Sequence, residues 1–181
     1  TNLVFIGSVV ERKGLKYLIH ALNKINQDDT DIKLHIIGDH TADTVYTSEL
    51  NNLIKASHLQ DKVMFLGHIE EPLAYLSDMH FLVLPSLDEG VPKSVIESIC
   101  MGIPVIATDV GGTREVIFNY KNGMIVQPEN VDDLYNAIKE CLENADKIIQ
   151  LTRSESDNAR KEFSFSTHSN NLSLIYKELI S

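Results

Sequence analysis

The feature that most constrains the fold of this chain is a repeated alternation of short apolar runs with segments of helical periodicity. Apolar runs without polar alternation are typical of strands that are buried on both faces of a sheet. Strands that are separated by helices predict right-handed crossover connections and a parallel sheet. The runs that predict strands are 3–6, 32–37, 63–66, 81–84, 104–106 and 123–126.

The segments between these runs repeat their apolar residues at the spacing of one helix face. The first of them, 15–25, has apolar residues at i, i+3, i+4, i+7 and i+10, which predicts an amphipathic helix. Further helices are expected at about 44–57, 72–76, 95–100, 131–142 and 169–180. We therefore expect an α/β fold, a Rossmann-like open parallel sheet of about six strands with helices on both faces. No linker interrupts the pattern, so 1–181 is expected to form one domain with C-terminal helices from about 131.

The net charge restricts the partners of this domain. The chain has 181 residues, of which 16 are Lys or Arg and 26 are Asp or Glu, so its formal net charge is −10. This acidic excess argues against broad nucleic-acid binding and against attachment to anionic lipid. A small local basic site for a phosphate is compatible with it.

The sequence also indicates a cellular context. No apolar run approaches the length of a transmembrane helix, and no signal-peptide pattern is seen, so we expect no membrane insertion by this domain. Cys100 and Cys141 fall in apolar helical patterns, which predicts buried thiols in a reducing cytosol. The chain begins almost directly with the core strand 3–6, and we interpret it as a segment of a longer protein.

The carboxyl ends of the predicted strands are where a ligand is expected, because open α/β sheets bind ligands there. Arg12 and Lys13 follow the first strand and precede the first helix. A helix N-terminus favours anions, and cations beside it suit a bound phosphate. The alternative is a solvated pair of cations ahead of a helix.

Two carboxylates, Glu89 and Glu97, follow the fourth strand. Glu97 is expected about one turn into a helix, beside apolar residues, where a carboxylate needs a partner. Together the two carboxylates could accept hydrogen bonds from sugar hydroxyls. The spacing of Glu89 and Glu97 alone is weak evidence for a binding site, because pairs of acidic residues arise by chance in a chain this acidic.

The segments around these residues form one continuous signature. It resembles the nucleotide-sugar domain of the retaining GT-B glycosyltransferases, glycosyltransferase family four or "group one". The segments that carry the resemblance are 81–86, Glu89 to Pro92, Val95 to Ser98, 102–108 and Gly111-Gly112 with Glu115, supported by 5–7, 13–15, 34–38, 63–67, 122–126 and 163–165.

The resemblance implies roles for individual residues. Glu89 would touch the donor sugar near the diphosphate, Glu97 would hold the ribose hydroxyls, and Lys13 would neutralise the diphosphate. Glu89 and Lys13 are therefore the expected catalytic residues. The other residues expected to bind the donor are Gly7, Ser8, Arg12 and Ser86, the phosphate-facing backbone of Gly90, Val91, Lys93 and Ser94, the pocket-lining Gly38, and Gly67 and His68 beside the base.

The resemblance further implies an activity and its partners. The expected reaction transfers a hexosyl group from a UDP- or GDP-sugar to an acceptor with retention of configuration, without a metal or cofactor. The chain would be the C-terminal donor-binding lobe, and the N-terminal acceptor lobe would be absent from it, so the domain alone would bind nucleotide and transfer little sugar. Its last helix would pack on that lobe or serve as a core helix. The expected setting is polysaccharide or glycolipid assembly, with a cytoplasmic parent protein peripheral at the inner face of the membrane.

Two positions differ from the family pattern. Ser8 stands where the family often has Arg, with Arg12 the nearest cation that could substitute, and Asp39-His40 stands where a second Gly is common. Alternative functions are a non-catalytic nucleotide-sugar-binding subunit and a GT-B epimerase or phosphorylase. The least specific alternative is a generic flavodoxin-like binding domain.

Overall fold

Six parallel strands form one sheet at the centre of the chain. The structure is a computed structural model, and it describes residues 1–28, 30–117 and 121–180, with side chains through Lys177. The strands are β1 (Asn2–Ile6), β2 (Lys33–Ile37), β3 (Val63–Gly67), β4 (Phe81–Leu84), β5 (Val105–Thr108) and β6 (Gly123–Val126).

The order of the strands is β3-β2-β1-β4-β5-β6. Leu3 of β1 pairs with Leu34 of β2 on one side and with Phe81 of β4 on the other. Strands that are distant in the sequence are therefore neighbours at the centre, and the strand order reverses between β1 and β4. Such a reversal opens a crevice beyond the carboxyl ends of the two strands.

Eight α-helices among the described residues surround the sheet, and a 3-10 turn at Glu11–Lys13 precedes the first of them. They are α1 (Leu15–Asn26), α2 (Thr44–Ala56), α3 (Pro72–Leu76), α4 (Lys93–Cys100), α5 (Thr113–Val116), α6 (Val131–Glu143), α7 (Ala145–Glu162) and α8 (Phe165–Ile180). The predicted α/β class and its parallel sheet are confirmed. The periodicity did not delimit α7, because most of that helix is polar, and α8 begins earlier than expected.

The core lies on the central strands and on the predicted stripe of α1. Leu3, Val4 and Phe5 are fully buried, and so are Leu15 and Leu18 on α1. Each such side chain contributes about 1.5–3 kcal/mol when it leaves water. The apolar runs thus specify both the strands and the surface on which the helices pack.

The two cysteines differ in burial. Cys141 on α6 is buried, and burial raises the pKa of its thiol to about 12. Cys100 on α4 is only half-buried, and burial raises the pKa of its thiol as well. Both thiols are free, and the buried position expected for Cys100 is reached only in part.

The last helix, α8, exposes its apolar side chains. Phe165 is 86% exposed, and Ile175 and Tyr176 are more than half exposed. Leu179, which belongs to the helix predicted at about 169–180, lies outside the residues whose side chains are described. The described part of α8 is therefore not a core helix of this chain. Among the helices that the structure describes, none combines the length and the hydropathy of a transmembrane segment.

Close backbone contacts between glycines and neighbouring loops build the carboxyl edge of the sheet. Gly14 has a φ of +69°, and a Cβ there would lie 1.9 Å from the carbonyl oxygen of Pro85. Only glycine allows both this backbone conformation and this approach. Gly14 thus holds the loop after β1 against the loop after β4.

We predict that Gly14→Ala destabilises the chain by at least about 2 kcal/mol, since it adds backbone strain to a steric clash. For a domain of this size the midpoint of thermal unfolding should fall by about 4–8 °C. Gly90→Ala is the matched control, because a Cβ at Gly90 meets nothing within 4 Å. Equal midpoints for the two variants would contradict the close contact.

Candidate functional site

The candidate site lies beyond the carboxyl ends of β1 and β4, where the strand order reverses. The backbone N–H of Leu87 donates to the carbonyl oxygen of Arg12 at 2.7 Å. This bond and the Gly14–Pro85 contact join the two loops, although they are far apart in the sequence.

A largely buried ion pair lies between these loops. Lys13 Nζ donates to Glu89 Oε1 at 2.5 Å, and the two side chains are 14% and 9% exposed. The hydroxyl of Ser86 donates to the same carboxylate oxygen at 2.7 Å. The two residues predicted to be catalytic are therefore in direct contact, and Ser86 holds one of them in place.

Thr108, at the end of β5, supports this arrangement from below. It is buried, and its hydroxyl donates to the carbonyl oxygen of Ser86 at 2.5 Å. Thr108 was not among the residues predicted for the site. A hydroxyl residue ending an apolar strand, beside the loop of a predicted catalytic carboxylate, is the signal that could have indicated it.

The N-terminus of α4 faces the same loop. Pro92 precedes the helix and supplies no side-chain cap, so the first N–H groups of α4 need acceptors from elsewhere. Lys93 begins the helix and is exposed, Ser94 is half-buried, and Gly90 and Val91 before them are exposed. This end of α4 can donate backbone hydrogen bonds to an anion.

Glu97 lies one turn into α4, as predicted, and is half-buried. Its carboxylate accepts no hydrogen bond from the described residues. The partner that the sequence analysis expected for it is therefore not supplied by this part of the chain, and both carboxylate oxygens remain able to accept hydrogen bonds.

The loop after β5 closes one side of the site. The N–H of Gly112 donates to the carbonyl oxygen of Gly90 at 2.7 Å. A Cβ at Gly111 would lie 1.9 Å from the backbone carbonyl oxygen of Glu89. Next to it, Arg114 donates twice to the carboxylate of Asp109, at 2.6 Å each, which raises the pKa of the guanidinium. This arginine, on α5, is thereby paired with the loop that precedes its helix.

The loops after β2 and β3 form the other side. Gly38 packs on the carbonyl oxygen of Gly7, and its N–H donates to the carbonyl oxygen of Gly67 at 2.8 Å. The predicted glycines thus lie together on the floor of the site. Ser8, Arg12 and His68 are exposed at its rim.

Asp39 and Arg12 differ in whether other residues hold their charged groups. The hydroxyl and the N–H of Thr41 both donate to Asp39, which lowers the pKa of that carboxyl. Arg12 makes no side-chain hydrogen bond with the residues that the structure describes, so its charge is available at the rim. No group of three side chains suited to a metal ion occurs in the described parts of the chain; independence from metals and cofactors stays a prediction.

A Rossmann-like parallel sheet with a crevice at its point of strand reversal belongs to the class of open α/β folds that bind ligands beyond the carboxyl ends of their strands. The family model described as glycosyl transferases group 1 matches residues 2–162. The chain belongs to this family, and the predicted relationship to the GT-B glycosyltransferases is confirmed.

Similar proteins include enzymes of known name and solved structures. The chain is 29% identical over 162 residues to an N-acetylgalactosamine-N,N'-diacetylbacillosaminyl-diphospho-undecaprenol 4-alpha-N-acetylgalactosaminyltransferase of Campylobacter jejuni, covering 89% of this chain and 42% of that protein. A glycosyltransferase of Rickettsia africae superimposes with a TM-score of 0.90 at 24% identity, and HepE of Anabaena in complex with UDP with 0.88 at 22%. These two cover 99% and 98% of this chain and 48% of each structure. The structural likenesses show the fold, and the chain spans about half the length of these proteins.

We predict that Lys13 and Glu89 are strongly coupled. In a double-mutant cycle of Lys13→Met and Glu89→Gln, each single change leaves a largely buried charge unpaired and should cost about 1–3 kcal/mol of the free energy of unfolding. The double variant should recover at least about 1 kcal/mol relative to the sum. Urea unfolding measures all four proteins.

The control cycle uses Lys24 and Asp132, an ion pair whose side chains are 44% and 75% exposed. Its coupling should stay below about 0.5 kcal/mol, because water and salt screen exposed pairs. Equal coupling energies in the two cycles would show that the burial of Lys13 and Glu89 has no energetic consequence.

Proposed function

We propose that this chain is the donor-binding half of a retaining glycosyltransferase, which transfers a hexosyl group from a UDP- or GDP-sugar to an acceptor. The observation that carries the proposal is the Lys13–Glu89 pair at the point of strand reversal, beside the uncapped N-terminus of α4. A cation and backbone donors in one crevice are what a diphosphate requires.

Lys13 and α4 stabilise the leaving group in this proposal. The negative charge of the nucleoside diphosphate grows as the glycosidic bond breaks, so a fixed cation and helix N–H groups bind the transition state more strongly than the ground state. Glu89 keeps Lys13 in position before the donor binds, and Ser86 in turn keeps Glu89 in position.

The two carboxylates take different parts of the donor. Glu97 accepts hydrogen bonds from the ribose hydroxyls, because its carboxylate has no protein partner in the described chain. Glu89 lies at the diphosphate and touches the transferred sugar. The rim residues Arg12, Ser8 and His68 complete the site. Arg12 supplies the positive charge that the family often has at the position of Ser8.

The names of similar proteins support a nucleotide-sugar donor. HepE of Anabaena has been crystallised with UDP and with UDP-glucose. The Campylobacter protein is named as a transferase of N-acetylgalactosamine to a diphospho-undecaprenol carrier. We therefore favour a UDP-sugar donor and a role in polysaccharide or glycolipid assembly, with the active protein at the inner face of the membrane.

The acceptor-binding lobe is proposed to lie in a longer protein. This chain spans about half the length of similar glycosyltransferases, and α8 exposes Phe165, Ile175 and Tyr176. Burying these side chains against a second lobe would remove them from water. The isolated chain is then expected to bind nucleotide and to transfer little sugar.

The first test is thermal unfolding of the chain with UDP, GDP, ADP and CDP. A ligand at 100 times its Kd adds about 2.7 kcal/mol to the free energy of unfolding, which for this size raises the midpoint by about 5–11 °C. We expect such a shift with UDP or GDP, and we expect Glu97→Ala to abolish most of it.

Glu143→Ala, on the exposed end of α6, is the control and should keep the full shift. A shift that Glu97→Ala leaves unchanged would refute the assignment of the ribose to Glu97. No shift with any nucleotide would refute nucleotide binding by this chain.

A second test concerns catalysis in the longer protein that contains both lobes. Lys13→Met removes one charge-assisted hydrogen bond to the leaving group, worth about 1.5–3 kcal/mol, so kcat should fall roughly 10–100-fold. Lys16→Met is the control, because Lys16 pairs with the exposed Glu11. Binding without any transfer in the wild-type protein would favour the non-catalytic subunit, for which the serine at position 8 is the supporting observation.

A further inference from the structure

His40 follows β2 and lies against the end of β3. A Cβ at Gly67 would find the His40 ring as its nearest neighbour, 3.7 Å away. The ring also packs on Phe65, with 6.3 Å between ring centroids and 55° between the planes. The hydroxyl of Thr47 donates to the backbone carbonyl of His40 at 2.8 Å, so α2 fixes this residue in place.

The two ring nitrogens of His40 lie in different surroundings. Nδ1 is buried and has no hydrogen-bond partner among the described residues. An N–H buried there without an acceptor would lose its hydrogen bond to water, which favours the tautomer that carries its proton on Nε2. The residue is partly exposed, and Nε2, unlike Nδ1, is not among its buried atoms without a partner. His40 can thus donate a hydrogen bond from Nε2 to a bound ligand.

The floor of the crevice leads from the ion pair to this donor. An added Cβ at Gly111, Gly14 or Gly38 would lie 1.9–2.0 Å from the carbonyl oxygen of Glu89, Pro85 or Gly7 respectively, so backbone packs closely on backbone along this floor. Gly67 is the last glycine of this floor. An added Cβ there would meet the side chain of His40, at an ordinary contact distance, and no backbone atom. With strands about 4.8 Å apart, His40 lies roughly 10 Å from the ion pair along the sheet edge. A ribose and a base span that distance from a diphosphate.

We propose that His40 is a specificity-determining residue, whose Nε2–H donates to a carbonyl oxygen of the donor's base. The inference rests on the proposed function. Uracil and guanine present a carbonyl oxygen at the edge where cytosine and adenine carry an amino group. Two donors cannot bond to each other, so His40 favours UDP and GDP over CDP and ADP.

The test compares Kd values in calorimetric titrations of the chain with UDP and CDP, whose bases differ at this edge. We expect the wild-type chain to bind UDP about tenfold more tightly than CDP, which corresponds to about 1.4 kcal/mol. His40→Phe keeps a ring on Phe65 but removes the donor, and it should reduce the ratio to less than about threefold. If the His40→Phe variant does not fold, His40→Ala should reduce the ratio in the same way.

His20→Phe is the matched control, because His20 is exposed on α1, away from the crevice; it should keep the wild-type ratio. An unchanged ratio in both His40 variants would overturn the role of His40 while leaving nucleotide binding intact. A wild-type preference for CDP would do so as well. A wild-type chain that binds neither nucleotide would overturn the proposed function and this inference together.

Discussion

The site depends on one constraint, the need of two largely buried charges to remain in contact. Lys13 and Glu89 are 14% and 9% exposed, and removing either from water is costly unless the other is beside it. Their contact requires the loops after β1 and β4 to meet, which requires these strands to be neighbours in the sheet. The close approach of Gly14 to Pro85 and the bond from Thr108 to Ser86 both serve that meeting. Strand order, loop packing and charge placement are thus one arrangement.

The sequence predicts the elements well because burial determines them. The fully apolar run 81–84 became β4, with the bounds expected, and the stripe of 15–25 became α1. The sequence also predicted Lys13 and Glu89 as site residues. Their spacing along the chain, however, does not show that they are in contact across the sheet. Their direct pairing appears only once β1 lies beside β4.

Side-chain direction accounts for what the sequence could not predict. The sequence does not show that Ser86 is buried with its hydroxyl donating to Glu89, and contact of this residue with the donor stays a prediction. Thr108 is marked along the chain as a hydroxyl residue that ends an apolar strand, but its bond to Ser86 requires β5 to lie beside β4. Likewise, His40 was noted only as a departure from a family pattern. Its buried Nδ1 and its contact with Gly67 depend on how the loops after β2 and β3 pack.

In the proposed function, a nucleoside diphosphate binds beyond the carboxyl ends of β1 and β4. The most direct measurement is a titration of the ¹⁵N-labelled chain with UDP, followed by the NMR shifts of its backbone amides. We expect the largest changes at Gly7, Lys13, Gly90, Val91 and Lys93, with smaller ones toward Gly67. Largest changes on α6 and α7, or none at saturating UDP, would contradict the claim.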